Sequence, residues 1–461
     1  MSNEDIVSSI EAGNRLPGYL EDIRSEFSKN PRSIVILDDD PTGTQTVYDV
    51  PVITVWTTEV LEKELLVSPV FFILTNSRSL QAKAANDLGK LLGKRLQNLA
   101  KKHQKNLLVV SRGDSTLRGH YPNEVEALVA GLGWSNTKHI LAPAFFEGGR
   151  YTFDDVHYVK EGDAFIPAAE TPFAKDNTFG YAASNLKDWI VEKTEGKVAH
   201  NKISSVSLDA LRTTSTENIK ALFEQPEVSH IVANATTYAD LQALALACLK
   251  YKGPLVFRTG ASFVNAITAI EAKDCLTKNQ ILGKHRTGGT LIVIGSYVPK
   301  TTQQLDYLKE NSDALFLEFD VSNVLEPAVF QKEIEVLAEK VDLLISAEEK
   351  VVLYTSRTIV KGATKAESLE IVNLVSNGLI SIIKQLNNQP KYILAKGGIT
   401  SSDVATKGLS VQRALVLGQV KKGVPVWRLG EEAKFPDMPY IVFPGNVGDN
   451  TSLYQVIKLL E

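Results

Sequence analysis

The 461 residues are too many for one ordinary hydrophobic core, and at roughly 100 to 200 residues per domain they point to two domains. A composition of 44% hydrophobic, 23% charged and 8% aromatic residues excludes the disordered and fibrous classes. Fifty Lys and Arg against 54 Asp and Glu leave a net charge of −4, so no global field draws the chain to nucleic acid or to an anionic membrane.

The N-terminus carries Glu4 and Asp5 and has no apolar run ending in a small-residue cleavage site, and no segment approaches 18 uninterrupted apolar residues. Cys248 and Cys275 each fall in a stretch that reads as helix, without CxxC or metal-type spacing. A cytoplasmic protein in a reducing compartment is expected.

Residues 1–30 read as a helical extension. Short β-branched runs at 34–37, 70–74, 107–110, 139–142 and 231–233 then alternate with helical patterns, which favours a parallel sheet with crossover helices. The stretch 79–104 carries an apolar stripe through Leu80, Ala84, Leu88, Leu91, Leu92, Leu96 and Leu99, with Lys and Arg opposite. Such a charged face is ordinarily solvated and is not a nucleic-acid site. The polar stretch 278–289 reads as an interdomain linker. Runs at 291–294, 314–317, 351–354, 392–395 and 440–443, with helices at 330–344 and 366–386, predict a second α/β domain. The expected division is 1–30, 31–277, 278–289 and 290–461, two α/β domains with mainly parallel sheets.

The first chemical motif is Asp38, Asp39, Asp40, Pro41, Thr42, Gly43, directly after a strand. Three acids in a row are not expected in a core, and at a strand's carboxyl end they suit a Mg²⁺ ligand or a general base. An acidic helix cap before a Pro-Thr-Gly turn is the plainer alternative. After the next strand come Thr75, Asn76, Ser77 and Arg78. Residues 113–119 follow another, with Asp114 and Ser115 able to orient hydroxyls and Arg118 able to grip a carboxylate by two parallel bonds. Capping of a following helix by Asp114 or Ser115 is again the plainer alternative. Pro143, Ala144, Phe145, Gly149 and Arg150 form the fourth such loop. Arg78, Arg118 and Arg150 at strand ends suit a small anionic ligand, although a lone arginine is more commonly a surface ion pair. Residues 171–176 read as a lid or substrate loop.

The second half has no GxxxxGK[ST], so phosphate must be held without a P-loop. Gly295 and Ser296, followed by Thr301 and Gln304, end its first strand; Lys396, Gly397, Gly398, Ile399 and Thr400 follow a later one; Gly445, Asn446 and Gly448 follow the last. Glycine and hydroxyl residues before helices expose backbone N–H groups to phosphate, so three such turns argue for a nucleotide cradle. The seven histidines show no HExxH or paired spacing, which points away from a zinc site; His120 and His157 lie near candidate loops.

In this order the motifs resemble the four-carbon acid sugar kinase family, formerly a domain of unknown function. Its Asp-Asp-x-Thr-Gly motif matches Asp39, Asp40, Thr42 and Gly43, and Asp-Ser-Thr-Leu-Arg-Gly matches 114–119. Pro-Ala-Phe and Gly-Arg match 143–145 and 149–150. Gly-Ser with Thr and Gln matches Gly295, Ser296, Thr301 and Gln304, Gly-Gly-x-Thr matches Gly397, Gly398 and Thr400, and Gly-Asn-x-Gly matches Gly445, Asn446 and Gly448. Two departures stand out: Phe443 and Pro444 where a lysine is usual, and Ile399 where an acid is common.

The resemblance implies a sugar-acid-binding domain followed by a nucleotide-binding domain, with catalysis in the cleft between them and ATP and Mg²⁺ as cofactors. Asp39 or Asp114 would accept the hydroxyl proton. Asp40, Thr42, Arg78, Ser115, Arg118 and Arg150 would bind a small-molecule sugar acid, and Ser296, Lys396, Gly397, Gly398, Thr400, Gly445, Asn446 and Gly448 the nucleotide. No residue is assigned to a metal, neither nucleic acid nor membrane is a partner, and a homo-oligomer is left open. Threonate, erythronate and 3-oxo-tetronate are equally compatible. The competing readings are a metal-assisted hydrolase or lyase using 38–40 without nucleotide, and a non-catalytic sugar-acid sensor.

Overall fold

The computed structural model describes residues 3–13, 18–213, 216–271, 273–284, 287–358, 360 and 362–461. His285 and the 285–286 part of the expected linker lie outside them, as do 1–2 and 14–17 of the expected extension. The chain divides into two compact units: Met1–Val47 with Val55–Ala272, and Tyr48–Thr54 with Lys273–Glu461.

The strands of the first unit are β1 (Ser33–Asp38), then, after β2 (Val50–Ile53), which belongs to the second unit, β3 (Val70–Leu74), β4 (Leu107–Arg112), β5 (Lys138–Ala142), β6 (Arg150–Phe153), β7 (Val156–Glu161), β8 (Ala164–Pro167), β9 (Ile203–Val206), β10 (His230–Ala233) and β11 (Leu255–Thr259). Seven of them form a parallel sheet in the order β3-β1-β4-β11-β5-β10-β9. Every residue of β1 is buried, as the near-continuous apolar run of a strand covered on both faces requires. From β1 the chain passes to β3 on one side and then to β4 on the other, so the sheet's switch point lies beside β1, where α/β proteins hold ligands. β6, β7 and β8 make a separate antiparallel sheet.

Residues 1–30, left without a purpose by the sequence, form helices Asn3–Gly13 and Leu20–Lys29. Ile6 and Ile10 of the first pack on Tyr158 and Phe165 of the small sheet. Arg32 behind the second donates to the Leu249 carbonyl at 2.8 Å, near the end of helix Tyr238–Lys250.

The second unit adds β12 (Thr290–Ile294), β13 (Leu315–Phe319), β14 (Lys350–Thr355), β15 (Ile393–Lys396), β16 (Arg413–Lys421), β17 (Val424–Leu429) and β18 (Pro439–Phe443), in the order β13-β14-β12-β15-β18-β17-β16-β2. The first five are parallel and the last three attach antiparallel. The crossover from β14 to β15 passes β12, which sets this sheet's switch point between β12 and β15.

Two sequence expectations change. Part of the polar stretch 278–289 is a helix, Lys278–Leu282, whose Ile281 and Leu282 enter the second unit's core, and that unit already begins at Lys273. Cys248 is buried in a helix as expected, whereas Cys275 is exposed in irregular chain. Among the described residues no helix is long and apolar enough to cross a membrane.

Helices Ala82–Lys102 and Asn123–Leu132 meet at backbone distance because Gly89, Gly93 and Gly131 stand at their contact. A Cβ on Gly93 would lie 2.9 Å from the Leu132 nitrogen and 3.0 Å from the Gly131 carbonyl carbon. Both atoms are backbone, so the clash is relieved only by moving a helix. Gly93→Ala is therefore expected to destabilise the first unit by about 1–3 kcal/mol despite its better helix propensity, read by urea denaturation. Unchanged or raised stability would show that the helices part freely.

Candidate functional site

The carboxyl edge of the first unit's sheet gathers the acid and arginine residues of four chain segments. The expectation that 38–40 stay out of a core is overturned: Asp38 and Asp39 are only 1% and 2% exposed. Arginines face all three consecutive acids, with Arg112 reaching both Asp38 and Asp39. Asp38 Oδ1 lies 3.4 Å from Arg112 Nη1, Asp39 Oδ2 lies 3.5 Å from Arg258 Nη2, and Asp40 is hydrogen-bonded by Arg78. Asp40 also accepts the Thr42 N–H at 2.8 Å and caps the turn Pro41–Thr44, so the plainer capping role is present here too. Gly43 is required at this point, since a Cβ would overlap the Asp38 carboxylate.

Asp114 sits at the mouth of the same edge. It accepts from Arg118 Nε at 2.6 Å and from the Thr116 hydroxyl, and Arg78 Nη1 stands 3.6 Å away. Neither Asp114 nor Ser115 caps a helix; the next one begins at Asn123 behind Pro122. Leu117, in the middle of the loop, is held at a φ of 66°. His157 is buried below it, with Nε2 donating to the Ser115 carbonyl at 2.7 Å and Nδ1 accepting from Thr152 at 3.0 Å. Both bonds suit a neutral ring, and burial pushes its pKa down to about 4. His120 bonds the Leu80 carbonyl at 3.0 Å, a structural contact.

Burial would raise the acid pKa values here, and the arginines decide where that prevails. Burial wins at Asp38, pushed up to about 8 against the pull of Arg112. At Asp114 burial is outweighed by Arg118 and Arg78, which hold the carboxyl below its ordinary range, and at Asp40 by Arg78 and Thr42. Asp114 and Asp40 are thus ionised at neutral pH.

The stretch 171–176 lies against this edge. Phe173 carries the guanidinium of Arg118 on its ring at 5.2 Å and that of Arg150 at 5.7 Å, and Asp176 Oδ2 is 3.7 Å from Arg118 Nη1. Arg150 also donates to the Gly148 carbonyl. Arg78, Arg118, Arg150, Asp40, Asp114 and Ser115 therefore belong to one constellation. Arg112 and Arg258, inside strands β4 and β11, escaped the sequence reading. Their one signal was a charged residue within an otherwise apolar strand pattern.

In the second unit the three expected turns converge. A Cβ on Gly397 would sit 2.8 Å from Ser296 Cβ, and one on Gly445 would sit 3.3 Å from Ser296 Oγ. Thr301 Oγ1 donates to the Gly445 carbonyl at 3.1 Å, and Gln304 Nε2 to those of Val447 and Asp449 at 3.0 and 2.7 Å. Gly397 and Gly448 have φ values of 118° and 82°, which disfavour any side chain. Arg357, also unforeseen, pins the Ser296 carbonyl at 2.8 Å. Asn446, Gly448 and Ile399 are exposed.

Lys396 is among the residues that the resemblance assigns to the nucleotide. It is the last residue of β15 and fully buried; its Nζ donates to the carbonyls of Pro444 at 2.6 Å and Gly445 at 3.3 Å and lies 4.1 Å from the Phe443 ring centroid. It braces the last glycine turn from beneath.

Burial, helped by Lys300, pushes the Lys396 amine down to about 6 from 10.5. Between those values the unfolded chain holds a proton that the folded chain does not, so stability rises with pH across the window and falls as pH drops toward 6. Lys396→Met should remove a slope of up to roughly tenfold in the folding constant per pH unit, measured by denaturation between pH 6.5 and 9. An identical slope in both proteins would place the charged ammonium in the folded state.

Comparison with known proteins finds two domains in this chain. Residues 34–267 match the sugar-binding N-terminal domain and residues 291–453 the nucleotide-binding C-terminal domain. A D-erythronate kinase of Heliobacterium modesticaldum is 26% identical over 233 residues, 50% of this chain and 48% of the relative, so the match spans about half of each. Two solved structures share the fold at 18% identity. A Haemophilus influenzae protein of the DUF1537 family has a TM-score of 0.63 over 93% of this chain and 100% of its own. A Salmonella typhimurium LT2 protein with a provisional tRNA synthase name has 0.67 over 92% and 98%. With both of its domains matched in order, the chain belongs to the four-carbon acid sugar kinase family.

Proposed function

We propose that the chain is an ATP-dependent kinase that phosphorylates a hydroxyl of a four-carbon sugar acid. The observation that carries this reading is the cluster of Arg78, Arg118, Asp40 and Asp114 at the sheet edge of the domain that matches a sugar-binding module. Arg118 uses Nε on Asp114, and its terminal nitrogens, with Nη1 3.7 Å from Asp176 Oδ2 and the guanidinium over the Phe173 ring, can hold a substrate carboxylate. Ionised Asp114, between two arginines, accepts from the substrate hydroxyl and orients it. Asp39, nearly sealed and in reach of Arg112 and Arg258, serves the cluster's charge balance in this reading.

ATP suits the second unit, where the Ser296, Gly397 and Gly445 turns pack too closely for a side chain at Gly397, as a phosphate held by backbone would require. Among the described residues no group of three or more His, Cys, Asp or Glu is placed to hold a metal ion, so Mg²⁺ in this reading arrives bound to ATP. Bound Mg–ATP would supply the phosphoryl group and neutralise its oxygens. The chain's task is then to position the acceptor hydroxyl in line and to exclude water that would otherwise hydrolyse ATP.

An ADP-coupled assay with Mg–ATP and a panel of threonate, erythronate and 3-oxo-tetronate is expected to show turnover with at least one acid. No ADP from any acid, together with no thermal stabilisation by ATP, would favour a hydrolase, lyase or sensor. Loss of one charge-assisted bond costs about 1.5–3 kcal/mol, so Arg118→Met should raise the KM for the acid roughly tenfold to a hundredfold and leave that for ATP near wild type. Asp114→Asn should depress kcat far more than ATP affinity; a variant with wild-type kcat removes Asp114 from the catalytic residues.

A further inference from the structure

The two arginine loops of the acid site are separate in sequence, yet both close on one buried side chain that no motif announces. Arg258, 7% exposed on β11, donates from Nη1 to Ser111 Oγ at 3.0 Å and from Nη2 to the Arg118 carbonyl at 3.4 Å. The loop 113–119 wraps its guanidinium: a Cβ on Gly113 would overlap Cζ, and one on Gly119, whose φ is 124°, would stand 2.6 Å from Nη2. Glycine at both ends of the loop is thus the space that Arg258 occupies.

The same guanidinium reaches the other loop through acids. Asp39 Oδ2 is 3.5 Å from Nη2, and the Asp39 carbonyl accepts the Arg78 N–H at 3.4 Å. Glu124 Oε2 is 3.6 Å from Nη1, while its Oε1 accepts from Ser77 at 2.6 Å, the neighbour of Arg78. The oxygens of Asp39 and Glu124 Oε2 are buried without hydrogen-bond partners and face the Arg258 guanidinium at 3.5 and 3.6 Å. Loops 75–78 and 113–119 are therefore fixed relative to each other through Arg258.

We propose that Arg258 is the positioning residue of the acid site, setting the spacing of Arg78 and Arg118 to the length of a small carboxylate substrate without touching it. This rests on the reading of the first unit as the acid-binding half. A point charge on a flexible stem cannot fill a space shaped for a planar fork, so lysine replaces it only in part.

The test compares Arg258→Met, Arg258→Lys and Ser111→Ala with wild type in two measurements. The first is amide hydrogen exchange without ligand. Residues 114–119 and 76–78 should exchange faster in Arg258→Met, less so in Arg258→Lys and least in Ser111→Ala, with strand Lys138–Ala142 unchanged. The second is steady-state kinetics, in which the KM for the acid should rise about tenfold to a hundredfold in Arg258→Met, recover in part in Arg258→Lys, and leave the KM for ATP within about twofold. Wild-type exchange in both loops, or a loss shared equally by acid and ATP, overturns the proposal. If Arg258→Met does not fold, Arg258→Lys and Ser111→Ala decide it by the same criteria. A wild-type chain inactive on every acid would defeat the functional reading, whereas the exchange measurement would still judge Arg258.

Discussion

Three consecutive carboxylates at the end of a central strand set the terms for the first unit. Arg112, Arg258 and Arg78 arrive there from three other segments and face Asp38, Asp39 and Asp40; Asp40 stays below the ordinary carboxylate range beside Arg78, while at Asp38 burial prevails over Arg112. Desolvation of a charge is repaid only by close partners, and breaking such a pair costs about 3–5 kcal/mol because the survivor stays buried and uncompensated. The loops that carry Arg78 and Arg118 are tied to this edge by the Arg78–Asp40 pair and by the bond from Arg258 to the Arg118 carbonyl. In the reading proposed for the site, such preorganisation would let a small anion bind through few contacts.

The second unit solves a different problem. In the reading proposed for it, a phosphate cradle would have to present backbone N–H groups, with side chains kept out of the place where the turns meet. Gly397 beside Ser296 and Gly448 before Ser452 do this, while Thr301, Gln304 and Arg357 tie the turns together by their carbonyls. Lys396 completes the support by entering from below as a buried amine. Its nitrogen lies beside the Phe443 ring and donates to the Pro444 carbonyl and, together with Thr301, to that of Gly445.

Both units place these groups at the carboxyl ends of parallel strands beside a switch in strand order. There the crossover connections diverge and leave a crevice, so loops from non-adjacent parts of the chain converge without competing for space. The shared topology explains why two domains of unrelated chemistry carry their motifs at equivalent places. The N-terminal helices serve the first unit as cover, one on the small antiparallel sheet that begins at Arg150 and one near the buried helix Tyr238–Lys250.

Much of this was legible in the residues alone. Continuous β-branched runs marked the parallel strands, and polar loops at their ends marked the edges that carry Arg78, Asp114, Gly397 and Gly445, because period and turn chemistry are local properties. The antiparallel strands β16 and β17 and the small sheet β6 to β8 were missed, since their pairing depends on distant partners. The burial of Asp38, Asp39 and Lys396 and the contacts of Arg258 were decided by tertiary structure. Whether a charge can be buried depends on which opposite charge or carbonyl the fold brings within about 4 Å, and that partner lies scores of residues away along the chain.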